Sequence, residues 1–198
     1  MKKKITLTIL LCLVFFFLGY LFSNNKEINK NINARTDLEV NNVKITIEDN
    51  SDINIINKYL EDIDTQPEYL INNCNNIIFT SDNLSERFNL KNISNKVLAI
   101  TLDDSIYINT DKYEKYVITH ELFHVFDYKN NWVTKTDDFL TIYNEEKDII
   151  KVSPGNNENA QEFFASAGEE FIFNPDDLKC NAPKTYNYIN NIVKNSEN

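Results

Sequence analysis

The chain has 198 residues, a formal net charge of −10 and an apolar fraction of 42%, which leaves room for one compact domain with a real core and not for two. The three lysines of residues 1–22 have no acid beside them, so the remainder carries −13. A surface that acidic repels phosphate backbones and anionic lipid, which argues against nucleic acid as a partner.

Lys2, Lys3 and Lys4 precede an apolar run from Ile5 to Phe22, broken only by Thr6, Thr8 and Gly19. A basic start followed by such a run is an export signal or a single membrane anchor. At 18 residues it is long for the apolar part of a cleaved signal and close to the roughly 17–25 that cross a bilayer. Cleavage and retention therefore both stay open. In the first case the protein is secreted; in the second it is anchored to the outer face of the cytoplasmic membrane, with this segment as its only membrane contact. Residues 23–39, rich in Asn and Lys without apolar periodicity, read as a flexible linker, and the folded domain is expected over 40–198.

Within that domain, Val43, Ile45 and Ile47 alternate with Lys44, Thr46 and Glu48, the period of a half-buried strand, and Ile53 to Ile63 has helical spacing. Pro67 interrupts, and a second short helix can follow it. Ile77 to Thr80 is a short apolar run. Val97 to Leu102 and Ser105 to Ile108 read as two strands joined by a turn at Asp103 and Asp104. Asp111, with Glu114 three residues on, has the reciprocal capping pattern that opens a helix, expected to run to about Lys129. Pro154 and Gly155 mark a loop. Another helix follows from about Asn159 to Phe173 and stops at Pro175, and a last one from Pro183 to Val193 turns Tyr186, Ile189 and Val193 inward. The expected fold is α+β: a small, mainly antiparallel sheet followed by a helical C-terminal part. Three glycines are too few for a phosphate-cradling loop. Cys12 falls in the export segment, so Cys74 and Cys180 either pair in an oxidising compartment or stay as two thiols. Neither has the Cys-x-x-Cys spacing of a thiolate metal site.

The helix expected up to Lys129 contains His120-Glu121-Leu122-Phe123-His124. Positions four apart stack on one helix face, so both imidazoles can reach one ion at roughly 2.0–2.1 Å, and neutral imidazole suits zinc. Glu121 lies about 100° around the helix from His120. There it flanks the metal without binding it and can take a proton from a zinc-bound water. His120 and His124 are the only two histidines of the chain, and Ile118, Leu122 and Val125 form an apolar back face that would bury the helix. A surface helix needs no such arrangement.

A catalytic zinc needs a third protein ligand beside an open position. With no histidine left, it must be a carboxylate. Glu158, Glu162, Glu169 and Glu170 are the downstream candidates, and Glu162 precedes the apolar Phe163-Phe164-Ala165, where an idle glutamate is disfavoured. Asp127 shares the face of the two histidines and either orients an imidazole from behind or is a plain helix-end carboxylate. Trp132, with Tyr128 and Phe139, either lines a substrate groove or belongs to the core. No Ser-His or Cys-His pair is left for nucleophilic catalysis, and no acidic run has EF-hand spacing.

His120-Glu121-Leu122-Phe123-His124-Val125-Phe126-Asp127, Asn159-Ala160-Gln161-Glu162-Phe163-Phe164-Ala165 and Asn181-Ala182-Pro183-Lys184-Thr185-Tyr186 together resemble the catalytic domain of anthrax toxin lethal factor and its relatives, including secreted Pro-Pro endopeptidases. The resemblance is densest from Tyr116 onward. It implies a zincin-like metalloprotease domain with one zinc ion per chain, and it places the third ligand on Glu162. Three departures stand out. The family's tyrosine before the ligand glutamate, which the resemblance makes the oxyanion stabiliser, has no counterpart in Val152 to Asn157, so either another donor such as Tyr143 substitutes or turnover is weak. The glutamate preceding the ligand in Pro-Pro endopeptidases is Gln161 here, and Trp132 follows the histidine helix instead of preceding it. A strict Pro-Pro preference does not follow. The expected function is that of an exported, monomeric zinc endopeptidase acting on protein or peptide segments. The alternative is a related binding module or toxin component that kept the fold and lost efficient catalysis.

Overall fold

The structure, a computed structural model, describes residues 36–90, 97–149 and 159–196. The export segment, most of the expected linker, the Pro154-Gly155 loop, the Val152 to Asn157 stretch and Glu158 lie outside the described residues. Five strands, β1 (Thr36–Val40), β2 (Val43–Ile47), β3 (Asn76–Thr80), β4 (Ala99–Leu102) and β5 (Ser105–Asn109), form one sheet in the order β1-β2-β3-β5-β4. The β1-β2 and β4-β5 pairs are antiparallel, while β2-β3 and β3-β5 are parallel. The sheet is thus mixed, not mainly antiparallel. Parallel neighbours need a crossover, and α1 (Ile53–Asp64) with α2 (Glu68–Ile71) carries the chain from β2 back to the start of β3. Alternation marks a strand but not its direction.

The fold starts earlier than expected, because Thr36 to Val40 pairs along its length with β2. Asn41 and Asn42, at φ 50 and 64, supply the two left-handed residues that a tight hairpin requires. Leu38 and Val40 pack on the core while Asp37 and Glu39 point out, so the charges that made this stretch read as linker are one face of a strand. At the other end of the sheet, Asp103 at φ 55 turns β4 into β5.

After a short α3 (Leu84–Arg87), the helical part comprises α4 (Val117–Lys129), a 3-10 turn (Val133–Lys135), α5 (Asp137–Glu146), α6 (Ala160–Phe173), α7 (Pro175–Asn181) and α8 (Pro183–Ser196). Its apolar residues Ile118, Leu122 and Phe126 share one core with Ile45, Phe79, Ile106 and Ile108 of the sheet. Helix α4 begins at Val117, not at Asp111. Tyr59 of α1 donates to the Lys112 carbonyl and accepts from the Glu114 amide, at 3.3 and 3.1 Å. Those tertiary bonds hold residues 112–114 outside a helix, and Tyr116, at φ 75, makes the turn into α4. Pro175 ends α6 as expected and then serves as the first residue of α7, a position where its missing N–H costs nothing. Among the described residues no helix is long and apolar enough to cross a membrane.

Cys74 is buried, Cys180 is exposed and neither is bridged. Burial pushes the Cys74 thiol up to about 12, so it stays protonated and inert at neutral pH.

Glu146 ties the end of α5 to the start of α8. Only 4% exposed, its carboxylate accepts from the Lys184 amide at 3.1 Å, the Thr185 amide at 2.8 Å and the Thr185 hydroxyl at 2.7 Å. It satisfies the open N–H groups at the start of α8 from the end of α5. Glu146→Ala leaves two donors of the fully buried Thr185 without an acceptor and is expected to cost roughly 2–4 kcal/mol, measured by chemical denaturation.

Candidate metal centre

His120 and His124 stand one turn apart on α4, their Nε2 atoms 3.2 Å from each other. The helix presents them because its opposite face is the core: Ile118, Leu122 and Val125 are fully buried. Glu162 comes from the first turn of α6, where the Asn159 side chain accepts from the Gln161 and Glu162 amides and fixes the helix start. The Glu162 oxygens lie 3.2 Å from His120 Nε2 and 3.5 Å from His124 Nε2. Helices α4 and α6 approach closely at Gly168, where a Cβ would overlap the Phe123 ring. A larger residue there would push Glu162 away from the imidazoles.

The three donor atoms lie within 4.8 Å of one another, and among the described residues this is the one cluster of three or more His, Cys, Asp or Glu groups so gathered. Two imidazole nitrogens and a carboxylate oxygen are the donor set of a divalent first-row metal. Lone pairs converging so closely repel unless a positive charge sits among them, and the electrostatics show that demand. Burial works against the His120 imidazolium, yet hydrogen bonds to Glu162 and Glu169 outweigh it and hold this group up at about 10. Burial also works against the Glu162 carboxylate, and the two imidazoles overcome it, taking the group far below the usual carboxylate range. The residues fit a cation.

A pH dependence follows with a definite sign. A metal must displace the His120 proton, so affinity for zinc should rise with pH by up to about tenfold per unit over roughly pH 6–9. Calorimetry in buffers of different ionisation enthalpy should detect about one proton released per ion. In the metal-free protein, the stability drawn from this raised group is complete below about pH 6.5. It is lost as pH climbs through about 10.

Glu169, two turns beyond Glu162 on α6, holds the other side of His120, with Oε1 2.6 Å from Nδ1. That contact keeps a proton on Nδ1 and leaves Nε2 to face the cluster. Asp127 does not take the orienting role that its spacing suggested. It is 1% exposed, and its two oxygens accept from the Thr134 amide at 2.9 Å and the Thr134 hydroxyl at 2.6 Å. Burial raises its carboxyl, and its work is to pin the end of α4 to the 3-10 turn. Glu170 accepts from Asn174 at 2.9 Å, away from the cluster.

Glu121, 8% exposed, sits beside the imidazoles, and its Oε2 accepts from the Thr101 hydroxyl at 2.6 Å. Thr101 lies on β4, the edge strand, and had no sequence signal linking it to α4. An open cleft of about 410 Å³ is lined by Ala99, Ile100 and Thr101 of β4, by Glu121 and His124 of α4, and by Gln161 and Glu162 of α6. Tyr128 and Trp132 also line it, their rings 5.5 Å apart and edge to face. The Lys135 ammonium sits 3.6 Å from the Trp132 ring centroid. Of the three aromatics proposed for a groove, Phe139 belongs to the core instead, packed on Phe163 and Phe164. Tyr143 packs on Phe163 at 5.4 Å and does not line the cleft.

A small sheet, a helix bearing a histidine pair beside its edge strand and a following helix bearing a facing glutamate together make a zincin-like metalloprotease fold. Residues 19–192 match the family described as anthrax toxin lethal factor, N- and C-terminal domain, and the chain belongs to that family. Among solved structures it is similar to the Pro-Pro endopeptidase of Paenibacillus alvei, with a TM-score of 0.60 and 18% identity over 75% of this chain and 96% of that one. No curated protein sequence matches.

Proposed function

We propose that the protein is an exported zinc endopeptidase that hydrolyses a peptide bond in an extended segment of a protein or peptide substrate. The observation that carries this is the cluster of His120, His124 and Glu162, whose His124 and Glu162 line, with Glu121, a cleft that the edge strand also lines. His120, His124 and Glu162 hold the ion, and Glu169 keeps His120 turned toward it. Zinc, when bound, supplies a Lewis acid for the peptide carbonyl and makes water more acidic. The Glu121 carboxylate takes a proton from the water whose oxygen attacks the carbonyl carbon. As the C–N bond breaks, Glu121 returns that proton to the leaving amine nitrogen.

Among the described residues no strand pairs with the outer edge of β4, and the backbone N–H and C=O groups there can take an extended chain by strand addition, which orders the scissile bond over Glu121. The basic start and apolar run of residues 1–22 support export, and the strongly acidic remainder supports a polypeptide partner over nucleic acid. The zinc-loaded protein should cleave members of a peptide library that includes Pro-Pro sequences, read by mass spectrometry, and a chelator should stop it. Cleavage untouched by the chelator, or none in any peptide, contradicts the proposal.

A further inference from the structure

We propose that Thr101 is a positioning residue that aims the Glu121 carboxylate, so that the strand receiving the substrate also sets the base. This rests on the endopeptidase function proposed above. Thr101 sits on β4 opposite Ile106 of β5. Ile106 is fully buried against the helices, and cross-strand partners share a face of the sheet, so the Thr101 side chain faces α4. Its hydroxyl lies 2.6 Å from Glu121 Oε2 and 3.2 Å from the Glu121 carbonyl oxygen. A hydroxyl has one hydrogen to donate, and the shorter, charge-assisted contact to the carboxylate takes it.

The consequence is selective. With one lone pair of Oε2 engaged by Thr101, Oε1 is the more basic and more available oxygen to receive a proton. A glutamate side chain has three rotatable bonds and loses freedom when aimed, whereas a β-branched threonine on a strand is stiff. The strand therefore lends its rigidity to the base. Glu121 is the fifth residue of α4, and its place on the helix sets where the side chain starts, not where its carboxylate points. The local chain alone does not set its aim, and the bond to Thr101 reaches it from 20 residues away.

The test uses three proteins, wild type, Thr101→Val and Thr101→Ser, each carried through zinc loading, kinetics on the best-cleaved library peptide made fluorogenic, and a crystal structure of the zinc-free form. Val keeps the shape and branching without the hydroxyl; Ser keeps the hydroxyl. The expected result for Thr101→Val is a kcat lowered roughly 10- to 100-fold with KM within about twofold, unchanged zinc content, and a Glu121 carboxylate displaced by about 1 Å or spread over two rotamers. Thr101→Ser should hold the wild-type carboxylate position and stay within about threefold of wild-type kcat. Thr101→Val with wild-type kcat and an unmoved carboxylate overturns the role of Thr101 alone. Thr101→Ser falling as far as Val overturns it too, because the methyl and not the hydroxyl would then matter. A wild-type protein without chelator-sensitive cleavage overturns the endopeptidase function, and this inference with it.

Discussion

Glu121→Gln should bind zinc as wild type does and cleave its best peptide roughly a thousandfold more slowly. The side chain keeps its length, and its amide oxygen can still accept from the Thr101 hydroxyl that bonds Oε2 at 2.6 Å. What it loses is the capacity to take and return a proton. General acid-base groups contribute about 10²- to 10⁴-fold, and here one group serves both halves of the reaction. Metal content should not change, because His120, His124 and Glu162 are the cluster and Glu121 stands outside it. Kinetics paired with metal analysis checks both halves, and a variant that cleaves at the wild-type rate removes Glu121 from the chemistry.

Glu162→Ala should have the opposite signature. Helix α6 keeps its Asn159 cap and the fold should persist by circular dichroism, but the zinc dissociation constant should rise by at least about a hundredfold. Without Glu162 the ion keeps two neutral imidazole donors and loses its one carboxylate ligand. Competition against a chelating dye measures the change, and an affinity equal to wild type would show that the third donor lies elsewhere.

The sequence made the centre legible and left much of its support hidden, for physical reasons that differ by residue. His120 and His124 could be paired because a helix repeats locally, and the apolar spacing of Ile118, Leu122 and Val125 told which face would be buried. Burial arguments left Glu162 among four downstream glutamates and the family resemblance singled it out; the role of Glu169 behind His120 came only when helix α6 was seen against α4. Glu162 and Glu169 lie two turns apart and both reach His120, one on each ring nitrogen. Asp127 had suitable spacing on its own helix, yet Thr134 arrives from the following turn and occupies it. Spacing names the groups that can meet along one element and says nothing of what another element brings.

The sheet teaches the same point. The alternation at β2 and the hairpin of β4 and β5 were read correctly, since both are local patterns. The parallel pairing of β3 with its two neighbours depends on where α1 carries the chain, and the helix start at Val117 depends on Tyr59 bonding residues 112 and 114 from more than 50 positions away. β1 was missed because its outer face is as charged as a linker. Its inner residues, Leu38 and Val40, gain meaning only beside β2.

Crystals grown with zinc and measured across the zinc absorption edge test the central claim most directly. One anomalous peak should appear, about 2.0–2.2 Å from His120 Nε2, His124 Nε2 and a Glu162 oxygen. A well-ordered site without that peak, or zinc bound only at some other group of acids, would contradict the account.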